Sequence, residues 1–504
     1  MIYKFWLYTF FILSLSTGVQ LFAQLTPQQA VEQMGRGINL GNTLDTREYE
    51  GELNVAQEYN FDDFTEAGFT CVRIPVTWNK RADTLSPYTI DSDFFDRVDE
   101  VIGWALDRKL FVVINAHHEE WLFEDPSLAN LERFDSLWSQ IAAHYKDYTD
   151  SLIFEMINEP YPMPEDTLNN LNERVLSIIR KTNPTRIVLF SGYMWANSPQ
   201  LIEAAVPEDD YLMGYFHSYD PWPFAGEGNG TWGTTSDIEA LENKFNDVQE
   251  WSSGNNIPVF LGEFGAHEDC DFNSRMRHYA RFVELALNNG WAFAVWDDNG
   301  WFQVLEREAR SWQVTKDIII NNTVDNPTDL SVTNHNGDSI SIAWTNRVTD
   351  NDSILVERGF TASTLTELIK LPGQAASYTD TFDLSLNRNY YYRISAQYGD
   401  TLNLMSYPQR IKTEQTVSAL SVIDNNYYIL YPNPVKETLI LRNDADDELI
   451  MKITIYNIKG VRLFDQYLSG ERIMRLNTES LKSDTYIIEI TTTGNTYRKL
   501  FIKL

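Results

Sequence analysis

Between Gly37 and Asn321 the chain alternates two textures. Short runs that are apolar almost throughout are separated by longer stretches in which apolar positions recur every three or four residues. The runs are Gly37–Leu40, Cys71–Ile74, Leu110–Asn115, Leu152–Ile157, Arg186–Phe190, Leu212–His217, Pro258–Glu263 and Trp291–Trp296. A run without polar alternation suits a strand buried on both faces, as in a parallel sheet covered by helices. The stretches Phe94–Arg108, Leu131–His144, Leu168–Lys181, Ile238–Trp251 and Arg275–Asn288 carry the helical period. Eight strands strictly alternating with helices predict an α/β fold, a (β/α)₈ TIM barrel, over residues 25–321. A doubly wound open sheet competes with it. That alternative is weakened because no Gly-rich phosphate loop follows the first run.

Past Asn321 the texture changes. Ser339–Trp344, Ser353–Arg358 and Tyr390–Ala396 alternate with a period of two and are separated by turn residues, which predicts an all-β sandwich over 327–414. A polar stretch near Lys412–Ser418 leads to a second all-β sandwich over 425–504, whose last strand, Arg498–Leu504, is basic. Trp344 reads as core. No row of tryptophans in the tail suggests a carbohydrate-binding module.

Composition narrows the partners. The 504 residues are 43% hydrophobic, enough to fill several cores, and the formal charge is −32. That balance disfavours nucleic acid and anionic membrane, which need clustered Lys and Arg. Residues 1–23 have the form of a secretory signal: Lys4, an apolar Phe5–Leu15 too short for a membrane span, and Ala23 before Gln24. No other apolar run is long enough to cross a membrane, so none is expected after signal cleavage. Cys71 and Cys270 are the two cysteines; they fall at opposite ends of a parallel barrel and are expected as free thiols.

The candidate chemistry lies at the ends of the apolar runs, where a parallel barrel places its active site. Glu159, in I-N-E-P, and Glu263, in L-G-E-F-G, are two carboxylates on different strands. Facing each other across a cleft, such a pair can cleave a glycosidic bond. One must stay protonated near neutral pH, which partial burial and nearby negative charge can arrange; the other acts ionised. A separation near about 5 Å implies retention of configuration, and one near about 8 Å implies inversion. Arg73 is read as a clamp on Glu263, or as an ordinary ion pair. His117 and His118 could hold a metal, but no Cys or Asp at ligand spacing supports one. Bonding to sugar hydroxyls is the better account, and no metal or cofactor is expected. His217 and Tyr219 share one face of an extended segment, where the hydroxyl could tune the nucleophile. Trp296 is placed to support a pyranose ring, and Asn42 either bonds a sugar or caps a turn.

The motifs R-G-I-N-L-G-N-T-L-D, V-R-I-P-V-T-W, V-I-N-A-H-H-E, F-E-M-I-N-E-P, H-S-Y and L-G-E-F-G, in this order over 25–321, resemble glycoside hydrolase family 5, nearest to bacterial endo-β-1,4-glucanases. The resemblance implies a retaining mechanism with Glu159 as acid/base and Glu263 as nucleophile. It carries Arg73, His117, Asn158, His217, Tyr219 and Trp296 onto the remaining active-site positions, and Asn42 and His118 onto substrate contacts. The sequence departs at Asp297, Asp298 and Asn299, a loop expected to line the cleft and to bear on substrate choice. Residues 327–414 resemble a fibronectin type III domain. Residues 425–504, through Y-P-N-P-V, I-Y-N-I-K-G and Y-I-I-E-I, resemble the C-terminal sorting domain of the type IX secretion system. Together these imply a secreted or outer-surface endoglucanase, a monomer, acting on a β-linked polysaccharide and exported by the secretion machinery. A β-mannanase, a xyloglucan or mixed-linkage glucanase, and a non-catalytic glycan-binding surface protein are the alternatives.

Overall fold

The computed structural model describes residues 24–46, 53–399, 402–414, 427–445, 448–493 and 495–504. The expected signal segment, 1–23, lies outside the described residues. Eight parallel strands close a barrel in chain order: β1 (Arg36–Asn39), β2 (Cys71–Ile74), β3 (Phe111–Asn115), β4 (Leu152–Glu155), β5 (Val188–Phe190), β6 (Leu212–Ser218), β7 (Val259–Phe264) and β8 (Ala292–Val295). The closure is the pairing of β8 with β1, from Arg36↔Phe293 to Ile38↔Val295. Every residue of β2, β3, β4 and β7 is buried, which is why those runs carry no polar alternation.

The five amphipathic stretches are helices: Ser92–Asp107, Leu128–His144, Glu165–Arg180, Thr235–Asn255 and Phe272–Asn288. Each starts two or three residues before the stretch read from the sequence, because the residues that cap and open a helix do not follow its apolar period. Thr234 shows this: its hydroxyl accepts from Asp237 N while its own N–H donates to the Asp237 carboxylate. The helix Pro27–Met34 contributes Ala30, Val31 and Met34 to the inner layer formed by Cys71, Val113, Ile153, Leu189, Met213, Phe260 and Ala292. The barrel interior is therefore packed, and the site must lie above this layer.

One irregularity decides where a carboxylate points. Along β6 and β7 the register runs Phe216↔Leu261 and then His217↔Glu263, so Gly262 has no partner. Phe260 faces the barrel interior. Strict alternation would turn Glu263 outward, away from the interior. The extra residue is a β-bulge that returns Glu263 to the inside.

Among the described residues after 327 the regular elements are all strands. Thr328–His335, Ser339–Thr345 and Ser377–Asp380 make one sheet. Thr366–Pro372, Ser353–Gly359, Asn389–Tyr398 and Leu402–Met405 make a second, with Gln409–Lys412 also on Asn389–Tyr398. Trp344 is buried, as read from the sequence. The last segment has a three-stranded and a four-stranded sheet around Leu439, Leu441, Ile453, Ile455, Ile488, Ile490 and Phe501. Among the described residues no helix is long and apolar enough to cross a membrane. Cys71 and Cys270 are buried free thiols, and burial raises the pKa of both.

Candidate active site

Glu263 lies within β7, and Glu159 lies in the loop four residues past Glu155, the last residue of β4. The two converge on His217 of β6. His217 Nδ1 is 2.8 Å from Glu159 Oε1 and 3.7 Å from Glu263 Oε1. One carboxylate oxygen of each Glu and one nitrogen of His217 lie within 4.8 Å of one another. The two carboxyls differ in exposure: the Glu159 side chain is 27% accessible and that of Glu263 is 6%.

Arg73, wholly buried in β2, is the hub beneath Glu263, and all five of its N–H donors are used. Nε and Nη2 donate to the two oxygens of Glu155, both at 2.6 Å. Nη2 also donates to Asn158 Oδ1 at 2.7 Å. Nη1 donates to Asn39 Oδ1 at 2.9 Å and to Glu263 Oε1 at 2.7 Å. Burial acts to lower the Arg73 pKa, but the charges of Glu155 and Glu263 outweigh it and raise it, so the cation is permanent. Glu263 is pushed up by burial, against the pull of His217 and Arg73 and the hydrogen bond from Tyr219 Oη to Oε2 at 2.8 Å. Burial holds His217 down at about 4, so the ring is neutral at neutral pH. With His217 neutral, Arg73 is the full positive charge in contact with the Glu263 carboxylate.

The other sequence candidates gather around this pair. A cleft of about 990 Å³ is lined by Asn42, His117, His118, Asn158, Glu159, His217, Tyr219, Glu263 and Trp296. His117 is fixed from below. Val76 N–H donates to Asn115 Oδ1, so the Asn115 amide faces Glu155 Oε1 and His117 Nδ1, at 2.8 and 3.0 Å. Nδ1 must accept, which leaves His117 Nε2–H as a donor towards Asp45 Oδ2, 3.8 Å away. Asp45 thus supplies the acidic neighbour that sequence spacing does not show, and Asp45, His117 and His118 present ligand atoms within 4.8 Å. With Nε2 protonated, His117 presents a donor rather than a lone pair on this side. Asn42 has φ 55°; its backbone N–H binds Asp45, and its side chain donates to Asp298 O at 3.1 Å. It holds the turn and borders the cleft at once.

The expectation for Asp297, Asp298 and Asn299 is corrected. Asp297 is fully buried and accepts from Asn299 N, Val304 N, Leu305 N and Arg307 Nη2. Asp298 accepts from Gly300 N and Phe302 N, and Asn299 from Arg307 N. These side chains fold the loop on itself instead of lining the cleft. The residues flanking them, Trp296 and Phe302, line it.

Sequence reasoning missed Glu155, Asn39, Asn115, Asp45 and Gly262. It also missed the loop aromatics Trp195 and Trp222, which line the cleft at 44% and 56% exposure. Asn39 ties the pieces together: its amide donates to Gly262 O, Ala294 O and Val295 O while its carbonyl receives Arg73.

The profile of cellulase (glycosyl hydrolase family 5) matches residues 32–300, and that of a secretion system C-terminal sorting domain matches 429–503. Endoglucanase H of Acetivibrio thermocellus is 44% identical over 284 residues, which are 56% of this chain and 31% of that protein. The chain thus spans about a third of that relative's length. Endoglucanase A of Ruminococcus albus is 30% identical over 338 residues, 59% of this chain and 93% of that protein. Among solved structures, Cel5A of Thermotoga maritima, determined with mannotriose and with cellobiose, is 34% identical with a TM-score of 0.56, covering 58% of this chain. The match spans 99% of the Cel5A chain. A tri-modular endo-β-1,4-glucanase of Bacillus licheniformis shares the fold over 95% of this chain and 99% of its own, with a TM-score of 0.65 at 23% identity.

Proposed function

The chain belongs to glycosyl hydrolase family 5, and from that premise we propose that it is a secreted endo-β-1,4-glucanase that hydrolyses internal glucosidic bonds by double displacement. The observation that carries the mechanism is the approach of one oxygen of Glu159 to within 4.8 Å of one oxygen of Glu263, the close spacing suited to direct attack on the sugar. Glu263, ionised against Arg73, attacks the anomeric carbon. Glu159, the more exposed carboxyl, gives its proton to the departing glycosidic oxygen. Water then enters where the leaving chain was. Glu159 takes its proton, and the hydroxide equivalent breaks the glycosyl–Glu263 ester with net retention. Tyr219 and Arg73 orient the two oxygens of Glu263, Asn158 and His217 hold Glu159 and the sugar edge, and His117 Nε2–H and His118 face hydroxyls. Trp296 gives a ring-stacking face, and Asn42 borders the same subsite.

The middle sheets pair in the order Thr328–His335, Ser339–Thr345, Ser377–Asp380 and, separately, Thr366–Pro372, Ser353–Gly359, Asn389–Tyr398, Leu402–Met405. Leu402–Met405 and Gln409–Lys412 both pair with Asn389–Tyr398, as two pieces of one edge strand, and this three-stranded and five-stranded arrangement supports the fibronectin type III reading of 327–414. The C-terminal sorting domain makes the protein secreted or cell-surface held, and the type IX machinery is its export partner. The residues assigned to the reaction lie in one chain, which is compatible with a monomer.

A β-mannan is the second reading for the substrate, because Cel5A of Thermotoga maritima has been solved with mannotriose as well as cellobiose. The test is reducing-sugar release by purified 24–504 from carboxymethylcellulose, glucomannan and xyloglucan. Release from carboxymethylcellulose, lost in Glu263→Ala, is expected. Faster release from glucomannan would favour the mannan reading, and no release from any β-glycan would favour a binding protein.

A further inference from the structure

Glu155 was not foreseen as part of the site, touches no substrate-facing surface, and is wholly buried. Buried carboxylates are costly unless paired, and here the partner is the cation that serves Glu263. The division of that cation is uneven. Glu155 takes two N–H groups of Arg73, through Nε and Nη2, both at 2.6 Å. Glu263 takes one, from Nη1 at 2.7 Å. Asn39 and Asn158 take the remaining two through neutral carbonyls. Asn115 Nδ2 supports Glu155 Oε1 from the other side. The groups facing Glu263 are then Arg73 from β2, Glu159 from the loop after β4, His217 from β6 and Tyr219 just beyond it, with Tyr215 and Glu155 behind Arg73.

We propose that Glu155 is a positioning residue that rations the Arg73 charge between two stages of the reaction. The inference rests on the double-displacement reading. In the free enzyme Glu155 draws charge from Arg73, so Glu263 is ionised without being over-stabilised, and it remains a reactive nucleophile. When Glu263 bonds to the sugar it becomes an uncharged ester. Arg73 would then be a buried cation without a counter-charge, and Glu155 supplies that counter-charge. The same carboxylate keeps the nucleophile basic before bond formation and keeps the cluster neutral after it.

The test is the pH profile of kcat/KM for Glu155→Gln, which removes the charge and keeps the shape. With the full Arg73 charge on Glu263, the acidic limb should move down by about one pH unit. With an activated aryl cellobioside, the burst that reports the glycosyl-enzyme should shrink or vanish. Glu155→Asp, which keeps the charge, should hold its limb close to wild type even if slower. An unmoved limb in Glu155→Gln, or equal shifts in the Gln and Asp variants, would overturn the proposal. Should Glu155→Gln fail to fold, Asn115→Ala gives the opposite sign: Glu155 then binds Arg73 more tightly and the limb should rise by a few tenths of a unit. No rise would equally overturn it. The underlying reading is checked separately in the same series. If Glu263→Ala retains turnover, double displacement on Glu263 fails; if it is inactive and the Glu155 limbs do not move, this inference alone fails.

Discussion

Gly262→Ala places a single methyl group where the bulge leaves no room for one. A Cβ at 262 would lie 2.9 Å from His217 Nε2 and 3.1 Å from its Cδ2, with Tyr215 Cδ2 at 3.5 Å. His217 cannot swing away freely, because its ring is buried between Tyr215 and β7 and its Nδ1 holds Glu159. Overpacking a rigid site of this kind costs about 1–3 kcal/mol. The larger effect is on geometry. The carbonyl of Gly262 receives Asn39, which also braces Arg73, so displacement of either the ring or the bulge moves Glu159 or Glu263. A misplacement of about 1 Å costs about 100-fold in rate. The assay is kcat and KM on cellopentaose, with the thermal unfolding midpoint measured beside them. The expected result is a kcat down by about two decades, a KM little changed and a modestly lower midpoint. A variant with wild-type kcat would refute the claim that the bulge sets the position of the carboxylates.

Other consequences follow from the same contacts. Arg73→Lys offers three donors in place of five and cannot fork onto Glu155; a loss of about 3–5 kcal/mol in chemical denaturation is expected, with kcat/KM falling sharply. Glu119, fully buried, has its pKa pushed up to about 8 by burial. The folded state thus holds its proton where the unfolded chain has lost it, so its contribution is full below about pH 4.5 and declines as pH rises towards 8. Glu119→Gln should therefore match wild type near pH 4 and exceed it by up to about 3 kcal/mol at pH 7 in urea titrations; equal stability at both pH values would contradict this. Removal of 425–504 should leave the specific activity of the purified enzyme unchanged while the host retains it inside the outer membrane, scored by cell fractionation.

The eight apolar runs were sufficient to read the barrel, because a strand buried on both faces leaves no choice of pattern. Glu159 and Glu263 were legible for a related reason: each follows an apolar run, where a charge needs an explanation. Glu155 was missed although it sits inside L-I-F-E-M-I. A carboxylate in the middle of a buried run requires a counter-charge, and Arg73, alone inside C-V-R-I, was the matching signal. Gly262 carried a signal too, since a glycine within a strand marks a bulge or a close approach. Asp45 carried none. Its place beside His117 depends on how the loop after β1 folds against the loop after β3, and no local period reports that. The polar loop Asp297–Asn299 misled for the opposite reason: its carboxylates satisfy backbone N–H groups of its own turn, which exposure alone would not distinguish from ligand binding.

The most direct measurement is to inactivate the enzyme with a fluorinated cellobioside bearing a good leaving group, and to locate the label by peptide mass spectrometry. One glycosyl unit is expected on the peptide containing Glu263, with the label absent from Glu263→Ala. A label on another carboxylate, or product released with inverted anomeric configuration and no covalent adduct, would contradict it.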